Sequence, residues 1–250
     1  MTCGDRGFSF VISIAGYVIG VRTQYDRAFR FCGVFLSDAE PDFYICVEQQ
    51  DIDRERQLWK SLRKDGAFED SILELQALQR LLTEHLIARD VLLMHGAAIA
   101  LEGSTYLFTA PSGTGKTTHA FSWLAKCPAA FPVNGDKPFI RFSSKGDPPL
   151  ACGSPWAGKE CMYTDSMVPL KSVILMERAE ENSIRPVSFT EAFPALLLQT
   201  YRPEDEELVR GTLRLLRRLC PAVTFWHFCF NNLREDCFPT AYRALTGHEP

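Results

Sequence analysis

The chain has 250 residues, a formal net charge of −4, and 46% hydrophobic against 23% charged residues, an ordinary balance for a folded globular protein that excludes a disordered or low-complexity chain. Nucleic-acid backbones are bound by clustered Lys and Arg, so the acidic balance argues against a nucleic-acid partner. No stretch is apolar enough over a sufficient length to span a bilayer, so no membrane partner is expected either.

Residues 1–90 read as a small β-rich lobe followed by a connecting helix. Residues 8–13, 17–21, 29–36 and 43–47 have strand composition and are separated by turn residues, which suggests an antiparallel meander. The apolar run at the start is interrupted by Ser13, Gly16 and Tyr17 and preceded by Asp5, which fits strands better than a secretion signal. A polar stretch over 51–70 precedes a helix expected over 70–89. Ile72, Leu75, Leu78, Leu82 and Leu86 would share one face of it, widened by Leu81 and Ile87, with Glu74, Gln79, Arg80, Glu84 and Arg89 on the polar face.

A second domain is expected over 91–250. Strands at 91–100 and 105–109 flank a turn, followed by a glycine-rich loop, a helix around 119–125, and strands at 130–133 and 139–142. A Gly- and Pro-rich loop over 143–164 leads to a strand at 172–177, helices at 189–199 and 204–219, a strand at 223–230 and a last helix at 233–245. This mixture defines an α/β fold with a mixed sheet. The helix at 204–219 carries Arg210, Arg214, Arg217 and Arg218, read as a solvated face in preference to a patch for an anionic partner. Nine cysteines, odd in number and scattered without a C-x-x-C, fit a reducing cytoplasm. The spacings of Cys220, Cys229 and Cys237 match no common zinc pattern.

The chemistry is concentrated in residues 110–119, A-P-S-G-T-G-K-T-T-H, placed between a strand and a helix as a phosphate-binding loop requires. Gly113 and Gly115 let backbone N–H groups converge on an anion, and the following helix adds its positive end. Ser112, Gly113, Thr114, Gly115, Lys116, Thr117 and Thr118 would hold ATP, with Lys116 on the terminal phosphates and the Thr117 hydroxyl on Mg²⁺. The first position of the pattern is Ala110 where glycine is usual.

Transfer also needs an acid for metal or proton. Asp136 ends a strand one helix after the loop and is the candidate, against a plain turn aspartate in N-G-D. His95, in an apolar strand before the loop, is either a core histidine or a participant. The loop G-S-P-W-A-G-K-E over 153–160 offers Lys159 to offset phosphoryl charge, while Trp156 serves equally well as a pin to the core.

Together these residues resemble the HPr kinase/phosphorylase family, whose core is shared with ATP-dependent phosphoenolpyruvate carboxykinases. His95-Gly96-Ala97-Ala98-Ile99, Gly103, Tyr106-Leu107-Phe108 and the S-G-T-G-K-T-T loop carry the resemblance, over about residues 91–245. It is closest to short HPr-kinase-like proteins from gene clusters for ribosomally made peptides, lasso peptides included, through P-W-A-G-K and the run 169–178 with Asn182 after it. The resemblance implies a P-loop kinase fold in which Lys116 and Thr117 bind triphosphate and Mg²⁺. It also implies that an aspartate near a histidine, in the places of Asp136 and His95, acts as general base on a serine hydroxyl. The chain departs from the family where paired aspartates are usual: here the pair is Gly135-Asp136, so Asp136 serves metal or base, or Glu160 assists. The R-G-L-G signature is also absent.

The expected function is therefore an ATP- and Mg²⁺-dependent serine kinase acting in the cytoplasm on a peptide or small protein, such as a ribosomal peptide precursor. The alternatives are a metabolite or carboxykinase-like phosphotransferase and an ATP-binding module without turnover. A homo-oligomer is left open.

Overall fold

The structure, a computed structural model, describes residues 7–62, 68–143 and 146–249. The chain divides into two compact units, Met1–Leu86 and Ile87–Pro250.

In the first unit, β1 (Phe8–Ile14) and β2 (Tyr17–Thr23) pair antiparallel. Ala15 and Gly16 both take positive φ, at 52° and 72°, the turn twist that suits a two-residue hairpin. The third expected strand, 29–36, is instead helical: α1 (Arg27–Cys32) runs into a 3-10 turn at Gly33–Phe35. The buried positions there are Ala28, Cys32 and Phe35, a helical spacing, while Phe29 stays exposed and meets Phe10 edge-on at 5.7 Å. That helical crossover lets β3 (Phe43–Cys46) return parallel to β2, so the three-stranded sheet is not the expected meander.

Two helices follow: α2 (Gln49–Leu62), in the stretch read only as polar, and α3 (Asp70–Ile87). On the polar face of α3, Glu74, Gln79 and Arg80 are all buried. Glu74 accepts the N–H groups of Gln24 and Tyr25, and Arg80 donates to Glu55 and Asp51, each at 2.8 Å. Their burial is compatible with folding because each charge meets partners.

The second unit is built on a nine-stranded mixed sheet. Its elements are β4 (Val91–Leu93), β5 (Ala97–Leu101), β6 (Ser104–Thr109), α4 (Lys116–Lys126), β7 (Phe131–Asn134), β8 (Phe139–Arg141), β9 (Leu150–Cys152), β10 (Met167–Arg178), β11 (Ser183–Val187), α5 (Phe189–Leu198), α6 (Glu206–Leu219), β12 (Thr224–Phe230) and α7 (Cys237–Thr246). The order is β4-β8-β9-β10-β6-β5-β7, with β12 on β10 and β11 on β12. Strands β6, β10 and β12 are parallel, so their C-terminal ends share one edge, where α/β sheets place their ligands. Strand β9 lies inside the expected loop 143–164, and β11 has no counterpart in the sequence reading.

The run 91–100 is not one strand. It breaks at His95 and Gly96, so that β4 pairs with β8 while β5 pairs with β6 and β7. A Cβ on Gly96 would stand 2.7 Å from the Phe108 carbonyl oxygen, which explains the glycine at this crossing.

Alternating residues of the sheet feed two cores. Phe108, Ile174 and Phe228 pack with Trp123 of α4 and Phe238 of α7, whereas Leu107, Val173 and Phe225 pack with Leu196 of α5 and Leu215, Leu216 and Leu219 of α6. Full burial of a side chain such as Phe108 or Leu215 is worth about 1.5–3 kcal/mol, and these two layers fix the sheet edge on which the loop sits. On α6, Arg210 pairs with Glu206, and Arg214 and Arg218 both pair with Asp90, so the arginine face is largely neutralised. Among the described residues no helix is long and apolar enough to cross a membrane, and the eight described cysteines are free thiols.

Candidate nucleotide and phosphoryl-transfer site

The glycine-rich loop leaves the C-terminal end of β6 and enters α4 at Lys116. Gly113 and Gly115 take φ values of 78° and 121°, a region that residues with a Cβ rarely occupy. A Cβ at Gly115 would also lie 2.8 Å from Asn232 Nδ2 and 3.3 Å from the Phe230 ring. Ser112, Gly113 and Thr118 are exposed, and Thr114, Gly115 and Thr117 are half-buried. Gly115 caps α4 without a side-chain hydrogen bond, which leaves the first-turn N–H groups available to an anion.

Lys116 is buried, and its amine folds back onto the carbonyls of Ala110 and Pro111 at 2.9 and 3.1 Å. Burial pulls its pKa below the ordinary lysine value, while the charge of Asp136 pushes the other way. The loop has a brace the sequence reading missed: Arg178, the last residue of β10, donates to the carbonyls of Thr114 and Gly113, both at 2.8 Å.

Across from the loop stands a pair. His95 Nε2 is 3.4 Å from Asp136 Oδ1, and His95 Nδ1 is 2.6 Å from Gln199 Oε1. The break between β4 and β5 makes this possible, because His95 donates its backbone N–H to the Gln199 carbonyl and Gly96 donates to that of Asp136. With an amide oxygen at Nδ1, that nitrogen carries a hydrogen, which turns Nε2 to the Asp136 carboxylate. Burial pushes the Asp136 carboxyl up, but the hydrogen bond and charge of His95, with the charges of Lys137 and Lys116, hold it below its ordinary value.

Asp136 is placed by Asn134, another residue the sequence reading did not single out. The buried Asn134 Oδ1 accepts the N–H groups of Asp136 and Lys137 at 2.9 and 2.6 Å, and its Nδ2 donates to the Ser154 carbonyl and hydroxyl. The N-G-D turn contained this signal, since asparagine side chains commonly bond the backbone two residues on. Gln199 offered none, being 104 residues from His95.

Gly135 is tightly enclosed. A Cβ there would lie 3.0 Å from the Ala157 carbonyl oxygen and 3.2 Å from Met162, so a second aspartate has no ready space. A different acid stands close by: at Gly158, a Cβ would be 3.3 Å from Asp136 Cβ and 3.6 Å from Glu160 Oε2. Trp156 is buried and holds the 153–160 loop to the core, whereas Lys159 is exposed and is not drawn in with Lys116, His95 and Asp136.

The residues present fit a nucleoside triphosphate with Mg²⁺. A positive-φ glycine loop, a buried lysine, a first-turn threonine and an ionised aspartate within electrostatic reach of that lysine form the matching donor set.

No protein-family model matches the chain, and no curated protein matches it. Among solved structures, the Hpr(Ser) kinase/phosphatase from Coxiella burnetii shares 12% identity with it, over 51% of this chain and 90% of that one, at a TM-score of 0.29. So slight a likeness carries no argument about activity, and the roles of these residues rest on the chain itself.

Proposed function

We propose that the chain is an ATP- and Mg²⁺-dependent phosphotransferase that phosphorylates a hydroxyl, most readily a serine of a peptide or small protein. The observation that carries this reading is the His95–Asp136 pair at 3.4 Å, set within electrostatic reach of the P-loop lysine. ATP with Mg²⁺ supplies the phosphoryl group and a Lewis acid. Backbone N–H groups of residues 112–117 and the Lys116 amine would hold phosphate charge, and the Thr117 hydroxyl and the Asp136 carboxylate would hold the Mg²⁺. Asp136 also accepts the hydroxyl proton, with His95 as the neighbour that orients its carboxylate and shares the proton. The R-G-L-G signature is missing, and a Cβ at Gly135 would crowd the Ala157 carbonyl and Met162, which favours a kinase without the reverse phosphorylase reaction.

The test is phosphate transfer from γ-labelled ATP with Mg²⁺ to serine peptides, including precursor peptides encoded beside the gene, read by mass spectrometry. Transfer should disappear in Lys116→Ala and fall by about 10²–10⁴ in Asp136→Asn, with ATP binding retained in the latter. The crowding at Gly135 also favours a second reading, a module that binds ATP without turnover. Tight ATP binding with no transfer to any peptide or hydroxyl metabolite and no ATP turnover would favour that one instead.

A further inference from the structure

On the other face of the same sheet lies a group of side chains that the nucleotide reading does not use. His227 and Cys229 are two residues apart on β12, so both project to one face. Glu177 of β10 is the register partner of Cys229 in the parallel ladder. Among the described residues these are the one group of three potential metal-ligating side chains whose donor atoms all lie within 4.8 Å of one another.

The pleat separates this group from the phosphate loop. Arg178, the next residue along β10, points the opposite way and braces Gly113 and Thr114. Glu177, His227 and Cys229 share the face of Leu175 and Phe225, on the side of α5.

We propose that Glu177, His227 and Cys229 form a binding site for a thiophilic divalent cation of the zinc class, distinct from the Mg²⁺ of the nucleotide. The donor set is the argument: a thiolate, an imidazole and a carboxylate together select zinc-like ions, whereas Mg²⁺ prefers oxygen alone. His227 Nε2 and Glu177 Oε2 stand 2.9 Å apart, so these two donors already converge and need only separate by a few tenths of an ångström, to about 3.3 Å, to share a tetrahedral ion. Cys229 adds a sulfur that a simple His–Glu pair does not need. Arg185, opposite His227 on β11, lies within electrostatic reach of Cys229. Its guanidinium is itself tied to Glu191. Glu177 is exposed and the other two residues are half-buried. Three protein ligands therefore leave the fourth position of a tetrahedron open to solvent.

The test uses the whole chain, reduced and stripped of metal, titrated with Co²⁺. A thiolate-to-cobalt charge-transfer band should appear to one equivalent, vanish on Zn²⁺ addition, be lost in Cys229→Ser and require at least tenfold more Co²⁺ in His227→Asn. No band in the wild type, or a band that survives Cys229→Ser, would overturn the proposal. Alkylation of the unmodified protein by iodoacetamide, mapped by peptide mass spectrometry, reports independently of whether the variants fold. Zn²⁺ should protect Cys229 and leave the exposed Cys161 and Cys220 reactive; equal labelling of Cys229 with and without Zn²⁺ counts against the site.

Discussion

Gln199 Oε1 lies 2.6 Å from His95 Nδ1, and this contact determines which nitrogen His95 turns to Asp136. Gln199 is brought there by backbone pairing just after α5, where His95 N–H bonds the Gln199 carbonyl and Tyr201 N–H bonds that of Leu93. Replacing Gln199 by Leu keeps the volume but removes the acceptor, so the imidazole is free to turn. Supporting contacts of this kind typically alter activity by about 10–100-fold when removed. Gln199→Leu should lower the transfer rate by that order with ATP affinity unchanged. An equal loss in both would mark a structural defect instead.

Asp136 should make the transfer rate tolerant of mild acid. Its carboxyl is held below the ordinary value, and of the influences that lower it His95 is the largest. The ionised form is the active one, so the acid limb of the rate profile falls below the usual aspartate value of about 3.9. Removing His95 takes away that help while burial remains, so His95→Asn should move the limb upward in pH. A limb that stays in place would separate His95 from the proton transfer.

Local signals were readable from the chain, and long-range ones were not. The glycine-rich loop is written in ten consecutive residues between a strand and a helix, and α4, α6 and β12 follow from their own periodicity. His95 stood out as a histidine within an apolar strand and Asp136 as an acid at a strand end; their separation of 3.4 Å depends on the break between β4 and β5 that apolar residues 91–100 conceal. Arg178 fell just past the strand expected over 172–177, and nothing nearby in sequence shows that it reaches Thr114, 64 residues away. In the first unit, Phe29 and Phe31 alternate like strand residues, yet Ala28, Cys32 and Phe35 are the buried positions. Glu74 and Arg80 read only as a polar face because their partners, Gln24, Tyr25, Asp51 and Glu55, come from other elements.

Arg178 supplies a test of loop order. Its two hydrogen bonds hold the carbonyls of Gly113 and Thr114, which orients the peptide between them. Hydrogen bonds from a charged donor contribute about 1.5–3 kcal/mol when buried and less on an exposed loop. Arg178→Ala should weaken ATP binding about three- to tenfold in calorimetric titration, with little change in melting temperature. Lys at this position, a single point donor, should restore part of the loss.

Restoring the second acid should fail. In Gly135→Asp the new Cβ meets the Ala157 carbonyl at 3.0 Å and Met162 at 3.2 Å, and overpacking of this kind costs about 1–3 kcal/mol. The variant should melt several degrees lower and gain no transfer rate. A more active Gly135→Asp would show that the 153–160 loop yields to admit a carboxylate.

His119 links the loop helix to acid stability. It is 1% exposed, accepts from Trp123 Nε1 at Nε2, and turns Nδ1 to the Cys237 sulfur at 3.8 Å, so the neutral ring with hydrogen on Nδ1 satisfies both neighbours. Burial pushes its pKa down to about 3, whereas the unfolded chain binds the proton from about pH 6.5. The folded value is the depressed one, so the stability is complete above pH 6.5 and is lost as pH falls toward 3. The slope is about 1.4 kcal/mol per pH unit below that point. Between pH 7 and pH 5 the wild type should lose about 2 kcal/mol more than His119→Gln, which keeps an acceptor for Trp123 but cannot titrate. Urea unfolding of the two proteins at both pH values measures the difference, and parallel losses would assign the acid sensitivity to other groups.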